Sequence, residues 1–417
     1  MKAVLYTEPG GIEVLKYQDV PDPSPGPGDV VVDVAATSLN RLDVMQRNGW
    51  FQMPGFSYPH IAGMDVAGTV SEIGEEVSDV KVGDRVVVDP SLAGVSENSS
   101  HAGRGDLFGE LGIIGANADG GYAEKCLVPS SHVYLMPDDM DFNDAATFPT
   151  CFLTAAHALF KVGNLQEGET VIIHAAGSGV GVAAIQLAKN SGATVLATAG
   201  SESKCEKAVA LGATHAMNNR EGDVAGWARE LTNGAGVNMV MDCVGTALFG
   251  ASLFALGIHG RLVNCGNASG DEAVIPSLGY VFHSGITIHG SDPYEPSEFS
   301  PTWKEFCSGE YKVEIMAVDA PYPELKKTHT MAHKGRPWTD HKPPPAAPVW
   351  SVIEGLGSYY ILLAAIELDV FDTLESTGPV KVEVLSKKLE VSQPHLQSLL
   401  DSLVALGLLD QFVNVYE

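Results

Sequence analysis

The stretch Thr170–Lys189, TVIIHAAGSGVGVAAIQLAK, decides the fold of the central part of this chain. An apolar run typical of a β-strand leads into a turn with three glycines, and an amphipathic helical segment follows from Val182. Such a turn lets the backbone approach a pyrophosphate, while the N-terminus of the helix supplies N–H groups and the positive end of its dipole. The stretch therefore predicts a dinucleotide-binding turn. Its residues are Ala176, Gly177, Ser178, Gly179, Val180 and Gly181.

The alternation of strand and helix in this stretch repeats along the chain. Apolar strands such as TVLATAG, NMVMDCVG and RLVNCG alternate with helical segments of about a dozen residues, which is typical of a parallel sheet covered by helices on both faces. We predict an α/β, doubly wound Rossmann domain over residues 126–267. Residues 1–125 instead show short alternating runs broken by Gly and Pro, which indicates a β-barrel-like domain.

The end of the second strand indicates which dinucleotide binds. An NAD site usually has Asp or Glu there for the ribose 2′-hydroxyl, whereas a 2′-phosphate needs room and positive charge. The sequence has Gly200, Ser201 and then Lys204, and we expect Glu202 to face solvent from the following helix. NADPH is therefore the predicted cofactor. Further predicted cofactor contacts near strand ends are Asn219, Cys243, Val244 and Cys265.

Composition restricts the class of protein. A length of 417 residues predicts two or three domains, and a formal charge of −27 without a basic patch argues against nucleic-acid or membrane partners. The six cysteines are single, so neither a disulfide framework nor a cysteine-rich zinc site is indicated. The start MKAVLYTEPGG lacks the features of a secretory signal, and we expect a cytoplasmic location.

The C-terminal part has a different composition. We assign residues 268–336 to a return segment that completes the preceding domains and residues 337–348, with the proline-rich run HKPPPAAP, to a stiff linker. Residues 349–417 show a helix-turn-helix pattern and the start of a β-wing. This winged-helix module has three Lys/Arg against ten Asp/Glu, which argues against DNA binding.

The order of the motifs PGPGDVVVDVAATSLNRLDVMQRNG, HIAGMDVAGTVSEIGEEVSDVKVGDRVVV, GGYAEKCLVP and VIIHAAGSGVGVAAIQLAK resembles the medium-chain dehydrogenase/reductase superfamily. Within it, the chain is most similar to the zinc-independent quinone oxidoreductase-like branch, over residues 1 to about 336. The resemblance implies a GroES-like substrate domain, a Rossmann cofactor domain and hydride transfer in the cleft between them. After HKGR, the proline linker replaces the family's usual final strand, which puts completeness of the substrate domain in question.

Residues 349–417 are similar to the dimerisation domain of plant-type O-methyltransferases, which implies a homodimer or higher homo-oligomer. The chain ends where an S-adenosylmethionine-binding domain would begin. Two alternatives follow: a fragment of a reductase-methyltransferase fusion, or a module kept for oligomerisation.

Zinc-dependent relatives hold a catalytic zinc with Cys, His and Cys. The corresponding positions here are Asn40, Met64 and Thr150, with Cys151 one residue from the last. Amide, thioether and hydroxyl groups do not make a tetrahedral zinc site, so we predict no metal. Leu42 also replaces the Ser or Thr that begins the proton relay of alcohol dehydrogenases.

The polar loop 91–108 aligns with the structural zinc lobe of the superfamily. Its four cysteine positions become Gly94, Glu97, Ser100 and Phe108, so the lobe has lost every thiolate. The alternative interpretation is an ordinary Gly/Ser loop onto which any such spacing can be laid.

Asn40 and Asp43 form an Asn-x-x-Asp pair similar to that of quinone oxidoreductases, and they are the predicted catalytic residues. Asn40 would donate to a substrate oxygen while Asp43 orients its neighbours; the alternative is a helix cap without chemistry. The remaining candidates are Arg41 and Thr154 for the cofactor, and Trp50 and Phe51 for a flat substrate.

These features lead to three hypotheses. The first is a zinc-independent, NADPH-dependent reductase of a quinone or of the activated C=C bond of an enone or enoyl substrate. The second is a cofactor-binding assembly protein with little catalysis, and the third, disfavoured, is a zinc-type alcohol dehydrogenase.

Overall fold

The structure is a computed structural model. It describes residues 1–102, 112–292, 294–308, 311, 380–389, 396, 411–412 and 415–416. The chain divides into two units, Met1–Ala332 and His333–Glu417.

The first unit begins with two antiparallel sheets and one helix. Their strands are β1 (Lys2–Tyr6), β2 (Lys16–Asp19), β3 (Asp29–Thr37), β4 (His60–Ile61), β5 (Val66–Ile73), β6 (Arg85–Val88), β7 (Lys125–Pro129) and β8 (Val133–Leu135), and the helix is α1 (Arg41–Arg47). One sheet has the order β2-β1-β4 and the other β7-β3-β5-β6-β8. Valines that alternate along β3, β5 and β6 fill the interior, as the period of two requires. The larger sheet runs ten residues past the predicted boundary at residue 125, because β7 pairs with β3 and β8 with β6.

The described part of the loop that we align with the structural zinc lobe, residues 91–102, is held to the barrel by hydrogen bonds. The buried carboxylate of Asp29 accepts from the Ser99 hydroxyl and from the Ser100 N–H at 2.8 Å. Burial opposes ionisation of Asp29, but these hydrogen bonds outweigh it and lower the pKa below its ordinary value. Phe108, the fourth predicted lobe position, lies outside the described residues.

The second part of this unit is a doubly wound α/β domain. Its strands are β9 (Thr170–Ile173), β10 (Thr194–Ala199), β11 (His215–Asn218), β12 (Val237–Asp242), β13 (Leu256–Asn264) and β14 (Thr287–Gly290). They form one parallel sheet with the order β11-β10-β9-β12-β13-β14. The sequence motif of the return segment, ITIHGS, thus supplies the sixth strand, beyond the predicted bound at residue 267.

Eight helices accompany this sheet within the described residues. They are α2 (Phe142–Ala146), α3 (Pro149–Ala156), which continues as a π-helix (His157–Val162), α4 (Gly179–Asn190), α5 (Glu202–Leu211), α6 (Val224–Leu231), α7 (Phe249–Ala255), α8 (Leu278–Ser284) and α9 (Phe299–Phe306). The chain order reverses direction across β9, because β10 lies on one side of it and β12 on the other. In open α/β sheets ligands bind at the carboxyl ends of the strands beside such a reversal.

Helix α9 joins the two parts of the unit through an aromatic cluster around Phe148. The fully buried Phe148 ring lies 5.3 Å from Phe299, 4.9 Å from Trp303 and 5.1 Å from Phe306, measured between ring centroids. The Trp303 indole also donates to the carbonyl of Leu135 at 3.1 Å, which ties α9 to β8.

In the second unit, the described residues form β15 (Val380–Lys381), α10 (Val382–Lys388), β16 (Gln411–Phe412) and β17 (Val415–Tyr416). The three strands pair antiparallel in the order β15-β17-β16. Across both units, none of the described helices has the length and apolar character that a membrane span requires.

Candidate functional site

The predicted dinucleotide turn lies between β9 and α4. Ser178 is the N-cap of α4, and its hydroxyl accepts from the N–H of Gly181 at 3.0 Å. The N–H groups of Gly179 and Val180 occupy the first helical positions, where no intrahelical acceptor exists. Gly177 and Gly179 are exposed, so this backbone is open to a ligand. The arrangement fits a pyrophosphate held at a helix N-terminus.

At two positions of this turn, neighbouring atoms lie so close that only glycine, which has no Cβ, fits without a shift. A Cβ at Gly181 would lie 2.4 Å from the carbonyl oxygen of Ala175, and a Cβ at Gly179 would lie 2.5 Å from Sγ of Cys151. The first contact is with backbone, which cannot move aside, and the second shows that α3 packs directly on the turn. Ala176, the remaining residue of the turn, is buried and donates its N–H to Thr198 on β10.

The end of β10 is surrounded by cations. The Lys204 side chain lies so close to the turn that a Cβ at Gly177 would be 2.7 Å from its Cδ. Arg220, which the sequence interpretation missed, lies against Gly200, where an added Cβ would be 3.0 Å from its Nε. Glu202 is exposed as the first residue of α5, as expected, and Ser201 is the N-cap of that helix. Two cations therefore lie at this strand end, where the side-chain amide of Asn218 also donates to Glu221 at 2.8 Å.

The other predicted cofactor contacts lie at the carboxyl ends of their strands. Asn219 follows β11 and donates to Ala199 at 2.9 Å, and Val244 follows β12 and donates to the Asp242 carboxylate at 2.7 Å. Cys243 and Cys265 follow β12 and β13. Burial raises the pKa of Cys243 to about 12 and that of Cys265 well above its ordinary value, so both are neutral thiols.

Asn40 and Asp43 form the helix cap that was the alternative to catalysis. Asn40 is the N-cap of α1, and Asp43 at the third helical position accepts the Asn40 N–H at 2.7 Å. Asp43 also accepts from the Tyr122 hydroxyl at 2.9 Å, and burial raises its pKa to about 7. Asp43 is therefore enclosed in the barrel, whereas the side-chain amide of Asn40 points to a different carboxylate.

That carboxylate is Asp65, which the sequence interpretation did not select. One oxygen accepts from the Asn40 amide at 2.8 Å and from the Ser38 hydroxyl, and the other accepts from the Thr150 N–H at 2.9 Å and the Thr150 hydroxyl at 2.7 Å. Asn40 and Thr150, two of the three residues that we align with zinc ligands of the family, thus both hydrogen-bond to one buried acid. The sequence feature that could have identified Asp65 is its position in the motif GMDVAG, directly after Met64.

The other candidates differ in exposure. The Arg41 guanidinium lies 6.0 Å above the Trp50 ring, and burial lowers its pKa. Phe51 is 44 % exposed, and Thr154 lies half-buried on α3, one turn after Thr150.

Comparisons with known proteins agree with the domain pattern. Residues 26–138 match the family described as the alcohol dehydrogenase GroES-like domain, and residues 179–308 match the zinc-binding dehydrogenase family. Residues 350–417 match the O-methyltransferase dimerisation domain.

Two curated relatives illustrate the range of activities. A quinone oxidoreductase of Pseudomonas aeruginosa is 34 % identical over 68 % of this chain and 78 % of its own length. An acryloyl-coenzyme A reductase of Sulfurisphaera tokodaii is 29 % identical over 78 % of this chain and 96 % of its own.

Two solved structures with similar folds are an alcohol dehydrogenase and a quinone oxidoreductase. An NAD-dependent alcohol dehydrogenase is similar with a TM-score of 0.74 and 35 % identity, over 81 % of this chain and 97 % of that one. The quinone oxidoreductase of Escherichia coli, solved with NADPH, is similar with a TM-score of 0.65 and 25 % identity, over 81 % and 98 %.

The zinc that one family description implies does not fit the residues present. Asn40, Met64 and Thr150 offer an amide, a thioether and a hydroxyl, none of which is a good zinc ligand. Among the described residues, no three His, Cys, Asp or Glu side chains are grouped as metal ligands. The Asn40 amide and the Thr150 hydroxyl instead donate to Asp65.

Proposed function

Since this chain belongs to the medium-chain dehydrogenase/reductase superfamily and is quinone oxidoreductase-like, we propose that it uses NADPH, without zinc, to reduce a quinone or an activated C=C bond of an enone or enoyl substrate. The observation that carries the proposal is the junction of α3 with the dinucleotide turn. Cys151 contacts Gly179, while the neighbouring Thr150 contacts the Asn40–Asp65 cluster. A cofactor held at this turn and a substrate held at Asn40 would therefore lie on either side of α3, at residues that do not form a zinc donor set.

NADPH, when bound, supplies the hydride. The N–H groups of Gly179 and Val180 would hold its pyrophosphate, and Lys204 and Arg220 its 2′-phosphate. The Asn40 amide uses one N–H for Asp65 and retains a second for a substrate oxygen. A donor held in this way stabilises the negative charge that grows on that oxygen after hydride arrives at a conjugated carbon. Zinc is not required for such an acceptor.

Stopped-flow oxidation of NADPH with quinones, enones and enoyl thioesters tests the proposal. Turnover with at least one class, unchanged after exhaustive chelation, is the expected result. Binding of NADPH without turnover of any acceptor would instead favour a cofactor-binding assembly protein.

Replacing both Lys204 and Arg220 with alanine should weaken NADPH binding while NADH binding changes little. Each cation that pairs with the 2′-phosphate contributes about tenfold in affinity. Titration of nicotinamide fluorescence measures both dissociation constants. Lys207→Ala removes a cation from the same helix and is the matched control; equal loss for NADH and NADPH would argue against a 2′-phosphate site here.

We also propose that residues 349–417 hold chains together, because this part matches a dimerisation domain. Removing residues 349–417 should lower the number of chains in each assembly, obtained by dividing the light-scattering mass by the mass of one chain. An unchanged number of chains would assign oligomerisation to the first unit.

A further inference from the structure

Asp65 is a buried carboxylate whose hydrogen bonds are arranged asymmetrically. Its side chain is 0 % exposed. Ser38 and Asn40 occupy one oxygen, and both polar groups of Thr150 occupy the other. Barrel residues thus hold one side, while a residue of α3, at the cofactor turn, holds the other.

The surroundings oppose a permanent negative charge on this group. In the described residues no Lys, Arg or His forms an ion pair with Asp65. The titratable groups that face it are Asp43, Tyr122, Cys151 and Tyr294, all neutral or acidic. Burial raises the pKa of Asp65, and the four hydrogen bonds counteract that shift only in part. Asp65 therefore keeps its proton to a higher pH than an exposed aspartic acid does.

Thr150 can hydrogen-bond to either protonation state of Asp65, because its hydroxyl group can rotate. With Asp65 ionised, the Thr150 hydroxyl donates to the carboxylate, as observed at 2.7 Å. With Asp65 protonated, the carboxyl donates to Thr150 Oγ1, and the hydroxyl hydrogen is free to turn away from the acid. Asp65 has no contact with solvent, whereas the two hydroxyl groups that donate to it, those of Ser38 and Thr150, are half-buried. Of these two, Thr150 lies on α3 beside Cys151, which contacts the dinucleotide turn, so Thr150 is the hydroxyl on the cofactor side of the acid.

We propose that Asp65 stores the proton that completes the reduction and delivers it through Thr150. After hydride adds to the β-carbon of an enone, the electron pair of the C=C bond becomes an enolate. The enolate takes the hydroxyl proton of Thr150, Thr150 Oγ1 takes the proton of Asp65, and Asp65 is left as the four-fold hydrogen-bonded carboxylate. Water then returns a proton to Asp65 by the same path. This inference rests on the proposed function, and it replaces the relay that Leu42 excludes at the alcohol dehydrogenase position.

The isosteric variant Asp65→Asn removes the proton but keeps the shape. We expect kcat for an enone to fall about 10²-fold, the lower end of general acid catalysis. We expect a smaller loss with a quinone, whose hydroquinone anion needs no proton on carbon. Wild-type kcat should decline as pH rises and Asp65 loses its proton, and this decline should be absent from the variant. An unchanged pH profile together with wild-type turnover would overturn the proposal.

Variants of Thr150 test whether its hydroxyl transfers a proton or only contributes a structural hydrogen bond. Thr150→Val should lose enone turnover, and Thr150→Ser should restore it together with the pH decline. Thr147→Val is the matched control, because that hydroxyl donates to the Asp144 carbonyl and not to an acid. Full turnover by Thr150→Val would overturn the relay.

A measurement without cofactor keeps the inference distinct from the proposed function. A folded-state pKa above the unfolded value means that the native protein binds the extra proton, so Asp65 favours folding less as pH rises from about 4 toward its native pKa. Thermal unfolding of cofactor-free protein should show a smaller loss of stability over this range in Asp65→Asn than in wild type. An identical pH dependence would overturn proton storage, whereas failure of all acceptors would overturn only the proposed function.

Discussion

Replacing Gly181 with alanine should remove dinucleotide binding while leaving the protein folded. The added methyl group would lie 2.4 Å from the Ala175 carbonyl oxygen and 2.9 Å from the Ala176 Cα. Both are backbone atoms of the same turn, so α4 must move away from β9. Such overpacking costs about 1–3 kcal/mol. It also displaces the N–H groups of Gly179 and Val180, and a shift near 1 Å at a positioned group costs about 100-fold. We expect NADPH affinity and turnover to fall at least that far.

Gly290→Ala is the matched control for this prediction. Gly290 ends β14 in the same sheet, and a Cβ there meets no atom within 4 Å. Isothermal titration with NADPH measures the affinity of each variant, and circular dichroism monitors the fold. Normal binding by Gly181→Ala would show that the pyrophosphate lies elsewhere.

Phe148→Ala should be the most destabilising single truncation that we predict in the first unit. Phe148 is completely buried between α3 and α9 and contacts three aromatic rings of α9, as well as the ring of Phe152 on α3. Loss of a buried phenyl ring costs about 3–5 kcal/mol, because the lost burial adds to the cavity left behind. The loss should also loosen α9 from β8, since Trp303 reaches Leu135 from the same cluster.

Denaturant unfolding and limited proteolysis near residue 300 measure these effects. Phe254→Ala serves as the control, because Phe254 is 38 % exposed and its removal leaves no closed cavity. A destabilisation no larger than that of the control would mean that α9 is not held by the aromatic cluster.

Local sequence was sufficient to predict the strand, glycine-rich turn and helix, and the parallel sheet. The run TVIIHAAGSGVG predicts strand, turn and helix because glycine spacing and apolar periodicity are properties of neighbouring residues. The structure has β9, the turn and α4 over these residues. The domain bounds stay predictions, and strand pairing shows why they are hard to predict. Residues 125–135 and 287–290 join sheets by long-range hydrogen bonds that local patterns do not encode.

The sequence by itself determined that the chain has a glycine-rich turn between a strand and a helix, a barrel-like first part and no good zinc ligands at three family positions. Only the tertiary structure decided what those positions do instead. Asn40, Asp65 and Thr150 are separated by 25 and 85 residues, and only folding brings both donors onto one buried carboxylate. Arg220 likewise meets Gly200 only through the pairing of β10 with β11. Burial and partnership are properties of the packed chain, so the pKa of Asp65 cannot be inferred from its neighbours in sequence.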